Sequence, residues 1–297
     1  MPLDPSEAGD GPVDLAHLKT WEGRSETASG TISPWLADAF RATIEGNGAP
    51  ARGTPESAPL GIHWCVGVPT AAMAEIGPDG HPARGGFLPP VPLPRRMWAG
   101  GRLRFPDPLR VGDEITRRSR VAAVEVKHGR TGPLVFVTVE HEVSTARGVA
   151  VVEEHDIVYR GLDAGGRTAP AGAPPAQQSS PADLVARTIE PSPVLLFRYS
   201  ALTFNGHRIH YDRPYVTEVE GYPGLIVHGP LQATLLMGLA LDILGGPPDR
   251  FAFRAERPLF DLAPFRIEGG REGPAGEVAL RARDADGHVT MRATASL

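Results

Sequence analysis

The sequence of 297 residues predicts an α+β fold in which a curled antiparallel sheet wraps around a central helix, twice in one chain. Short runs of alternating apolar residues separated by Gly turns, over residues 101–160 and 251–295, predict antiparallel strands with one buried face. Residues 230–244 (PLQATLLMGLALDIL) are apolar nearly all round, which predicts a helix enclosed by a sheet. A segment poor in apolar residues separates the two regions and indicates two units.

That separating segment, residues 161–182, is rich in Pro, Ala, Gly and Ser. It cannot bury enough surface to offset the entropy lost on ordering, so it predicts a linker. On either side lie residues 1–160 and 183–297, each of ordinary domain size. The sequence therefore predicts two domains of similar plan.

In the first domain, residues 134–143 alternate clearly and Arg147-Gly148 predicts the turn before the next strand. The valines on one face of this segment are Val135, Val137, Val139 and Val143. A central helix is expected earlier, at residues 66–76.

In the second domain, the helix over residues 230–244 should end at the following Gly-Gly-Pro-Pro. Strands are expected over residues 251–256, 264–269 and 278–283, and the last returns through a turn into residues 289–295. A central helix followed by a curled antiparallel sheet, repeated once, predicts a double (tandem) hot-dog fold.

Composition narrows the possible partners. The net charge is −5 and no block of Lys or Arg occurs, which argues against nucleic acid. No apolar run approaches the roughly 18 residues of a spanning helix, and the acidic start lacks the features of a signal peptide. Cys65 is the single cysteine, so no intrachain disulfide forms and we expect it to be buried packing. We expect a cytoplasmic protein that binds neither nucleic acid nor membranes.

Three polar residues with acid–base potential crowd together after a helix predicted over residues 194–203: Asn205, His207 and His210. An imidazole both accepts and returns a proton near neutral pH, so His210 is a candidate general acid/base. Asn205 could hold a water or a carbonyl, and His207 could carry a second proton or orient His210. The alternative is that these side chains cap a helix and satisfy a turn.

The start of the long apolar helix offers a second element, His228-Gly229-Pro230. The Gly229 N–H at the positive end of the helix dipole would suit the oxygen of a thioester carbonyl as it gains charge. The alternative is a tight helix entry with no ligand. His207, His210 and His228 could share a metal ion, but no zinc signature surrounds them, so no metal is expected.

Four stretches of the chain resemble one family. FRYSALTFNGHRIHYD (residues 197–212) and YPGLIVHGP (residues 222–230) are similar to the hydroxyacyl-thioester dehydratase type 2 branch of the MaoC-like hot-dog hydratases, which includes mesaconyl-C4-CoA and itaconyl-CoA hydratases. GPDGHPARGGFLPPVPLPRRMWAGGRLRF (residues 77–105) resembles the N-terminal partner domain of that branch, and PLRVGDEI (residues 108–115) is shared more widely. The resemblance spans nearly the whole chain apart from the linker.

The resemblance implies a catalytic MaoC-like hot-dog in residues 183–297 and a degenerate hot-dog in residues 1–160 that completes the acyl tunnel. Broader MaoC-like hydratases carry Asp-x-Asn-x-x-His, in which Asp and His handle the water together. Here Asn205 stands at the Asp position and His207 at the Asn position, while His210 is kept. The implied reaction is reversible syn hydration of a 2-enoyl thioester to a 3-hydroxyacyl thioester.

In that mechanism His210 carries most of the proton transfer, alone or together with His207, while Asn205 positions water and Gly229 polarises the carbonyl. The segment of residues 85–96 is expected to be a lid or a substrate-facing segment whose arginines bind CoA phosphates or a substrate carboxylate. The residues expected to bind substrate are His228, Tyr211, Asp212, Arg95, Arg96 and Trp98.

The expected substrate is an acyl-CoA with a small acyl group, whether linear, branched or dicarboxylic, and an acyl carrier protein is the alternative carrier. No cofactor is expected, and a homodimer is expected in preference to a monomer. A thioesterase is the alternative enzyme, with Asp212 as the carboxylate that would activate water. A non-catalytic acyl-thioester binding protein is the third hypothesis, suggested by the missing Asp.

Overall fold

The computed structural model describes residues 13–45, 56–129, 132–161, 184–272 and 276–297, which form one continuous antiparallel sheet of ten strands with helices packed against it. The strands of the first half are β1 (Ser25–Thr31), β2 (Arg95–Arg104), β3 (Glu114–Gly129), β4 (Gly132–Thr145) and β5 (Gly148–Arg160). Those of the second half are β6 (Val185–Ile189), β7 (Arg250–Ala255), β8 (Phe265–Glu272), β9 (Glu277–Arg283) and β10 (Val289–Ser296). The helices are α1 (Leu15–Lys19), α2 (Pro34–Ile44), α3 (Pro193–Leu202) and α4 (Gly229–Leu244).

The strand order shows an internal repeat. It runs β1-β3-β4-β5-β2 through the first half and then β7-β10-β9-β8-β6 through the second. The two halves join where β2 pairs with β7, over Gly100–Arg104 and Arg250–Arg254. Reversing one half gives the order of the other, so each half has the same strand plan. The predicted double hot-dog and its α+β class are confirmed.

Helix α4 is the centre of the second half, as predicted. Pro230 occupies the first turn, where its missing N–H costs nothing, and Gly245 ends the helix with a φ of 80°. The helix packs against β7, β8, β9 and β10, and all of its leucines except Leu241 are buried. Burying one leucine side chain contributes about 1.5–3 kcal/mol, so this helix anchors the main core.

The first half has no such central helix among the described residues, and the prediction of a helix at residues 66–76 is wrong. That stretch holds only the 3₁₀ turn Met73–Glu75. Gly67 has a left-handed φ of 63°, and a proline two residues later disfavours helical backbone before it, so a helix cannot pass through. The long helix of this half is α2, capped by the Ser33 hydroxyl, which accepts a hydrogen bond from the Leu36 N–H at 3.1 Å. Helix α2 packs against α3.

An extended segment takes the place of the missing helix. Val91 and Leu93 are nearly fully buried against the inner face of β3, β4 and β5, where the predicted valine face of β4 is also buried. The Arg84 guanidinium holds the segment by donating to the carbonyls of Val91, Leu93 and Pro94 at 2.6–2.7 Å. Burial of Val91 and Leu93 argues against a lid in residues 85–96, and the alternative of a substrate-facing segment stays a prediction.

Other sequence predictions have mixed outcomes. Cys65 is buried, and burial raises the pKa of its thiol to about 12, in agreement with a packing role. None of the helices in the described part of the chain is long and apolar enough to cross a membrane. The predicted linker lies, apart from residue 161, outside the described residues, so the domain boundaries stay a prediction.

Candidate active site

The loop after α3 places Asn205, His207 and His210 at the start of the candidate site. Helix α3 ends because Phe204 takes a left-handed φ of 50° and the Asn205 N–H returns to the Ser200 carbonyl at 2.8 Å. The Asn205 Oδ1 accepts a hydrogen bond from the His207 N–H at 3.0 Å, which makes an Asx-turn. This acceptor of Asn205 therefore shapes the loop, as in the turn-capping alternative, and the amide NH₂ remains as the group that could meet a water.

Four imidazoles form a continuous series of ring contacts, which we call the histidine row: His81, His207, His210 and His228. The ring centroids of His81 and His207 lie 3.9 Å apart, and those of His207 and His210 lie 5.5 Å apart in an edge-to-face arrangement. His210 stacks on His228 with centroids 3.6 Å apart and planes 18° from parallel. The row thus connects the loop after α3 to the N-terminus of α4.

Hydrogen bonds orient the inner rings of the row. The His210 Nδ1 lies 2.7 Å from the Ile226 carbonyl oxygen, which can only accept, so Nδ1 carries the proton and Nε2 keeps its lone pair. The His228 Nε2 lies 2.8 Å from the Ser200 hydroxyl, while its buried Nδ1 has no hydrogen-bond partner among the described residues. His210 is therefore oriented as a base.

The electrostatic environment keeps these rings neutral. Burial lowers the pKa of His210 to about 4, against a weaker opposing effect of the Ile226 carbonyl. Burial also lowers the pKa values of His207 and His228 well below 6.5, and the neighbouring histidines add to the effect. At neutral pH the row therefore offers uncharged imidazole nitrogens, which is the state in which His210 can take a proton from water.

The N-terminus of α4 lies directly beside the row. His228 is the residue before the helix, so its stacking on His210 brings that ring next to Gly229 in the chain. The first N–H groups of a helix have no intrahelical acceptor and carry partial positive charge. A Cβ built on Gly229 would meet only the Trp98 Cβ, at 3.8 Å, so the glycine leaves open space between β2 and α4. An acyl carbonyl fits the chemistry of this position.

The two adjacent arginines at the start of β2, Arg95 and Arg96, have different partners. Arg95 forms an ion pair with Glu220 at 3.4 Å, donates to the Glu220 carbonyl at 2.7 Å and lies over the Tyr222 ring. Arg96 forms no ion pair within the described residues, and its charge acts on His81 and Tyr159. The Tyr159 hydroxyl is buried, makes no hydrogen bond of regular geometry in the described part of the chain, and interacts with the Arg96 guanidinium. Of the two arginines, Arg96 is therefore the candidate for binding a ligand.

Tyr211 and Asp212 bond to protein groups around the loop. The Tyr211 hydroxyl donates to the Gly206 carbonyl at 2.9 Å, and the ring is half-exposed. One Asp212 carboxylate oxygen accepts from Arg208 at 2.7 Å, and the other accepts from the Tyr215 N–H at 3.1 Å. These contacts favour a role in holding the loop for both residues, and they occupy the carboxylate that a thioesterase would need.

The structure also places Asp79 and His81 of the first half in the site, which the sequence analysis did not identify. The His81 Nδ1 lies 3.0 Å from the Asp79 carboxylate, and the His81 ring contacts His207. The local sequence, Asp-Gly-His in a turn, gives no signal of this role, because the partner ring lies more than a hundred positions away in the chain. Nitrogen and oxygen atoms of Asp79, His81 and His207 lie within 4.8 Å of one another, so these three side chains are also the ones that could hold a metal ion here.

Comparison with known proteins gives consistent results. The family model for hydroxyacyl-thioester dehydratase type 2 matches residues 61–261, which include the whole histidine row. A mesaconyl-C(4)-CoA hydratase of Chloroflexus aurantiacus is 46% identical over 287 residues, covering 96% of this chain and 99% of the relative.

Solved structures share the fold at low sequence identity. A MaoC-like dehydratase of Phytophthora capsici superposes with a TM-score of 0.65 at 17% identity, covering 96% of this chain and 99% of the other. A conserved hypothetical protein of Mycobacterium tuberculosis, described as a double hot-dog fold, has a TM-score of 0.57 at 14% identity and covers 96% of this chain and 98% of its own.

Proposed function

Because the chain belongs to the hydroxyacyl-thioester dehydratase type 2 family, we propose that its histidine row hydrates a small 2-enoyl-CoA that carries a carboxylate, and catalyses the reverse dehydration. The protein is a hydro-lyase acting on acyl thioesters. The single observation that carries the proposed mechanism is the His210 ring, which donates from Nδ1 to Ile226 and stacks beside the N-terminus of α4.

The proposed reaction has two proton transfers. The His210 Nε2 takes a proton from water as the water oxygen bonds to Cβ, and the electron pair of the double bond moves towards the thioester carbonyl. The Gly229 N–H and the dipole of α4 stabilise the charge that develops on the carbonyl oxygen. His210 then returns the proton to Cα, so one water is added and no bond to the protein forms.

The carboxylate preference rests on the charge of Arg96 and on the buried Tyr159 hydroxyl beside it. Arg96 has no ion pair in the described chain, and the Tyr159 hydroxyl makes no hydrogen bond of regular geometry there, although it interacts with Arg96. A guanidinium without a carboxylate and a buried hydroxyl without a well-formed hydrogen bond would both be stabilised by a ligand oxygen that binds there. A substrate carboxylate supplies such oxygens, and the name of the Chloroflexus relative indicates a substrate of this kind.

Several finer points are part of the same proposal. CoA is the proposed carrier of the acyl group, with an acyl carrier protein as the alternative. The reaction as written uses no metal or organic cofactor. A homodimer and a cytoplasmic location are also proposed.

The test follows the enoyl-thioester absorbance of mesaconyl-C4-CoA, itaconyl-CoA and crotonyl-CoA, with a thiol reagent in parallel. We expect the band to decay without release of thiol, fastest for a substrate with a carboxylate. The His210→Gln variant keeps a donor for the Ile226 carbonyl but has no base, so its kcat should fall by about 100-fold or more at an unchanged melting temperature. Thiol release would support a thioesterase, and binding without turnover would support a binding protein.

A further inference from the structure

A turn of the first half is docked rigidly against the loop that carries His207 and His210. The Arg208 N–H donates to the Asp79 carbonyl at 2.9 Å, and the Arg208 guanidinium donates to the Pro78 carbonyl at 3.0 Å. A Cβ on Gly80, which has a φ of 87°, would lie 1.9 Å from the Gly206 carbonyl oxygen. Only glycine allows so close an approach of the two backbones, so the position of the turn is fixed by the second half.

This docking fixes a carboxylate–imidazole pair at the end of the histidine row. The Asp79 Oδ1 accepts from the His81 N–H at 3.0 Å, and its Oδ2 accepts from the His81 Nδ1 at 3.0 Å. Burial alone would raise the pKa of Asp79, but the His81 contacts and the charge of Arg96 lower it to about 2. Asp79 is therefore an anion, and the His81 ring lies between it and His207.

The reaction requires such an anion. When His210 takes a proton from water, the row gains a positive charge in a buried place, and an unpaired buried charge is costly. Asn205 carries no charge, and both oxygens of Asp212 are occupied by Arg208 and Tyr215. Within the described residues, Asp79 is the carboxylate that contacts the row directly, through its hydrogen bond to His81.

We propose that Asp79 and His81 of the first half form the counter-ion of the histidine row, so that both halves of the chain build one active site. Asp79 and His81 are positioning residues that act through His207 and His210: the water proton moves to the His210 Nε2 and back to Cα, while Asp79 stays ionised throughout. No bond forms to either residue. The inference rests on the proposed hydratase function, and it gives the first half a part in catalysis beyond completing the fold.

The test measures kcat and KM of the full-length protein for the enoyl-CoA that the wild type hydrates fastest. Asp79→Asn keeps the shape of the side chain but replaces one carboxylate oxygen by NH₂ and removes the charge, so we expect kcat to fall at least about tenfold while KM changes by less than about threefold. Asp79→Glu should restore part of kcat, because the charge returns. The proposal would be overturned if the substitution left kcat equal to that of the wild type, with or without a change in KM.

The chain offers a matched control. Asp284 likewise accepts a hydrogen bond from a backbone N–H two residues on and lies 3.4 Å from a histidine, His288, in the turn between β9 and β10. Asp284→Asn makes the same chemical change away from the row and should leave kcat unchanged. An equal loss of kcat in Asp284→Asn and Asp79→Asn would contradict a specific role for Asp79.

A second variant covers the case in which Asp79→Asn folds poorly. In His81→Asn the amide NH₂ replaces the Nδ1 donor to Asp79 but the ring contact with His207 is lost, so kcat should again fall with KM retained. Normal turnover by a folded His81→Asn would overturn the proposal. Loss of wild-type activity in EDTA, restored by zinc, would also overturn it and assign Asp79, His81 and His207 to a metal. If the wild type hydrates no enoyl-CoA, the proposed function is wrong. If the wild type is active and the variants are equally active, the proposed function stands and the role of Asp79 and His81 is wrong.

Discussion

Replacing Arg96 by methionine should remove the selectivity for acyl groups that carry a carboxylate. Arg96 is the second residue of β2, interacts with His81 and Tyr159 and has no ion pair in the described chain, so removing its charge breaks no salt bridge. A hydrogen bond to a charged group contributes about 1.5–3 kcal/mol. At about 1.4 kcal/mol for each factor of ten, kcat/KM for mesaconyl-C4-CoA should fall by roughly 10- to 150-fold.

The assay compares mesaconyl-C4-CoA with crotonyl-CoA, which lacks the carboxylate. In Arg96→Met, kcat/KM for mesaconyl-C4-CoA divided by kcat/KM for crotonyl-CoA should fall by the same factor, roughly 10- to 150-fold, because only the substrate with a carboxylate loses its partner. Arg104→Met is the control, since Arg104 is exposed further along the same strand, and it should leave the ratio unchanged. An unchanged ratio in Arg96→Met would refute the assignment of Arg96 to the carboxylate.

Three further predictions follow from the same geometry. Gly229→Ala should fold normally, because its Cβ meets only one atom, at 3.8 Å, but should lower kcat/KM by about tenfold or more by crowding the carbonyl site; wild-type kinetics would contradict it. Gly80→Ala should lower both the melting temperature and kcat, because its Cβ would lie 1.9 Å from a carbonyl oxygen; circular dichroism and kinetics check this. His81, His155 and His210 have folded pKa values of about 4 against 6.5. Between pH ~4 and pH ~6.5 the unfolded chain therefore binds more protons than the folded chain. The contribution of these neutral histidines to the free energy of unfolding is fully present above pH ~6.5, and the melting temperature should fall towards pH ~5; a constant melting temperature would contradict this prediction.

The second half was predictable because its signals are local. Helix α4 has a proline in its first turn and is followed by a glycine, and the strands alternate between buried and less buried residues. The oxyanion candidate Gly229 and the base candidate His210 could both be named from neighbouring residues. The stacking of His210 on His228, which brings the base candidate beside Gly229, could not be predicted, because it depends on how the loop folds back onto α4.

The first half is harder to predict, because its described residues hold no helix where α4 stands in the second half. Its real helix, α2, starts at Ser33-Pro34, and α3 starts at Ser192-Pro193 in the same way. This shared start was the available signal that α2 corresponds to α3. The space filled by α4 in one half is filled in the other by Val91 and Leu93, which alternate along an extended segment that carries no helical pattern.

The contribution of the first half to the site was beyond local prediction. Asp79 and His81 reach the row because two glycine-containing turns dock backbone to backbone, and no sequence spacing encodes this contact. The different fates of Arg95 and Arg96 had a signal, since neighbouring side chains of a strand point to opposite faces. Once β2 is recognised as a strand, only one of the two can face the site.

The most direct test of the central claim is the mass of the product formed from mesaconyl-C4-CoA in ¹⁸O-labelled water. Addition of water at Cβ predicts an intact CoA thioester that has gained one labelled water, and its formation should depend on His210. Free CoA together with an acid that carries the label in its new carboxylate would contradict the account, because the water would then have attacked the carbonyl carbon.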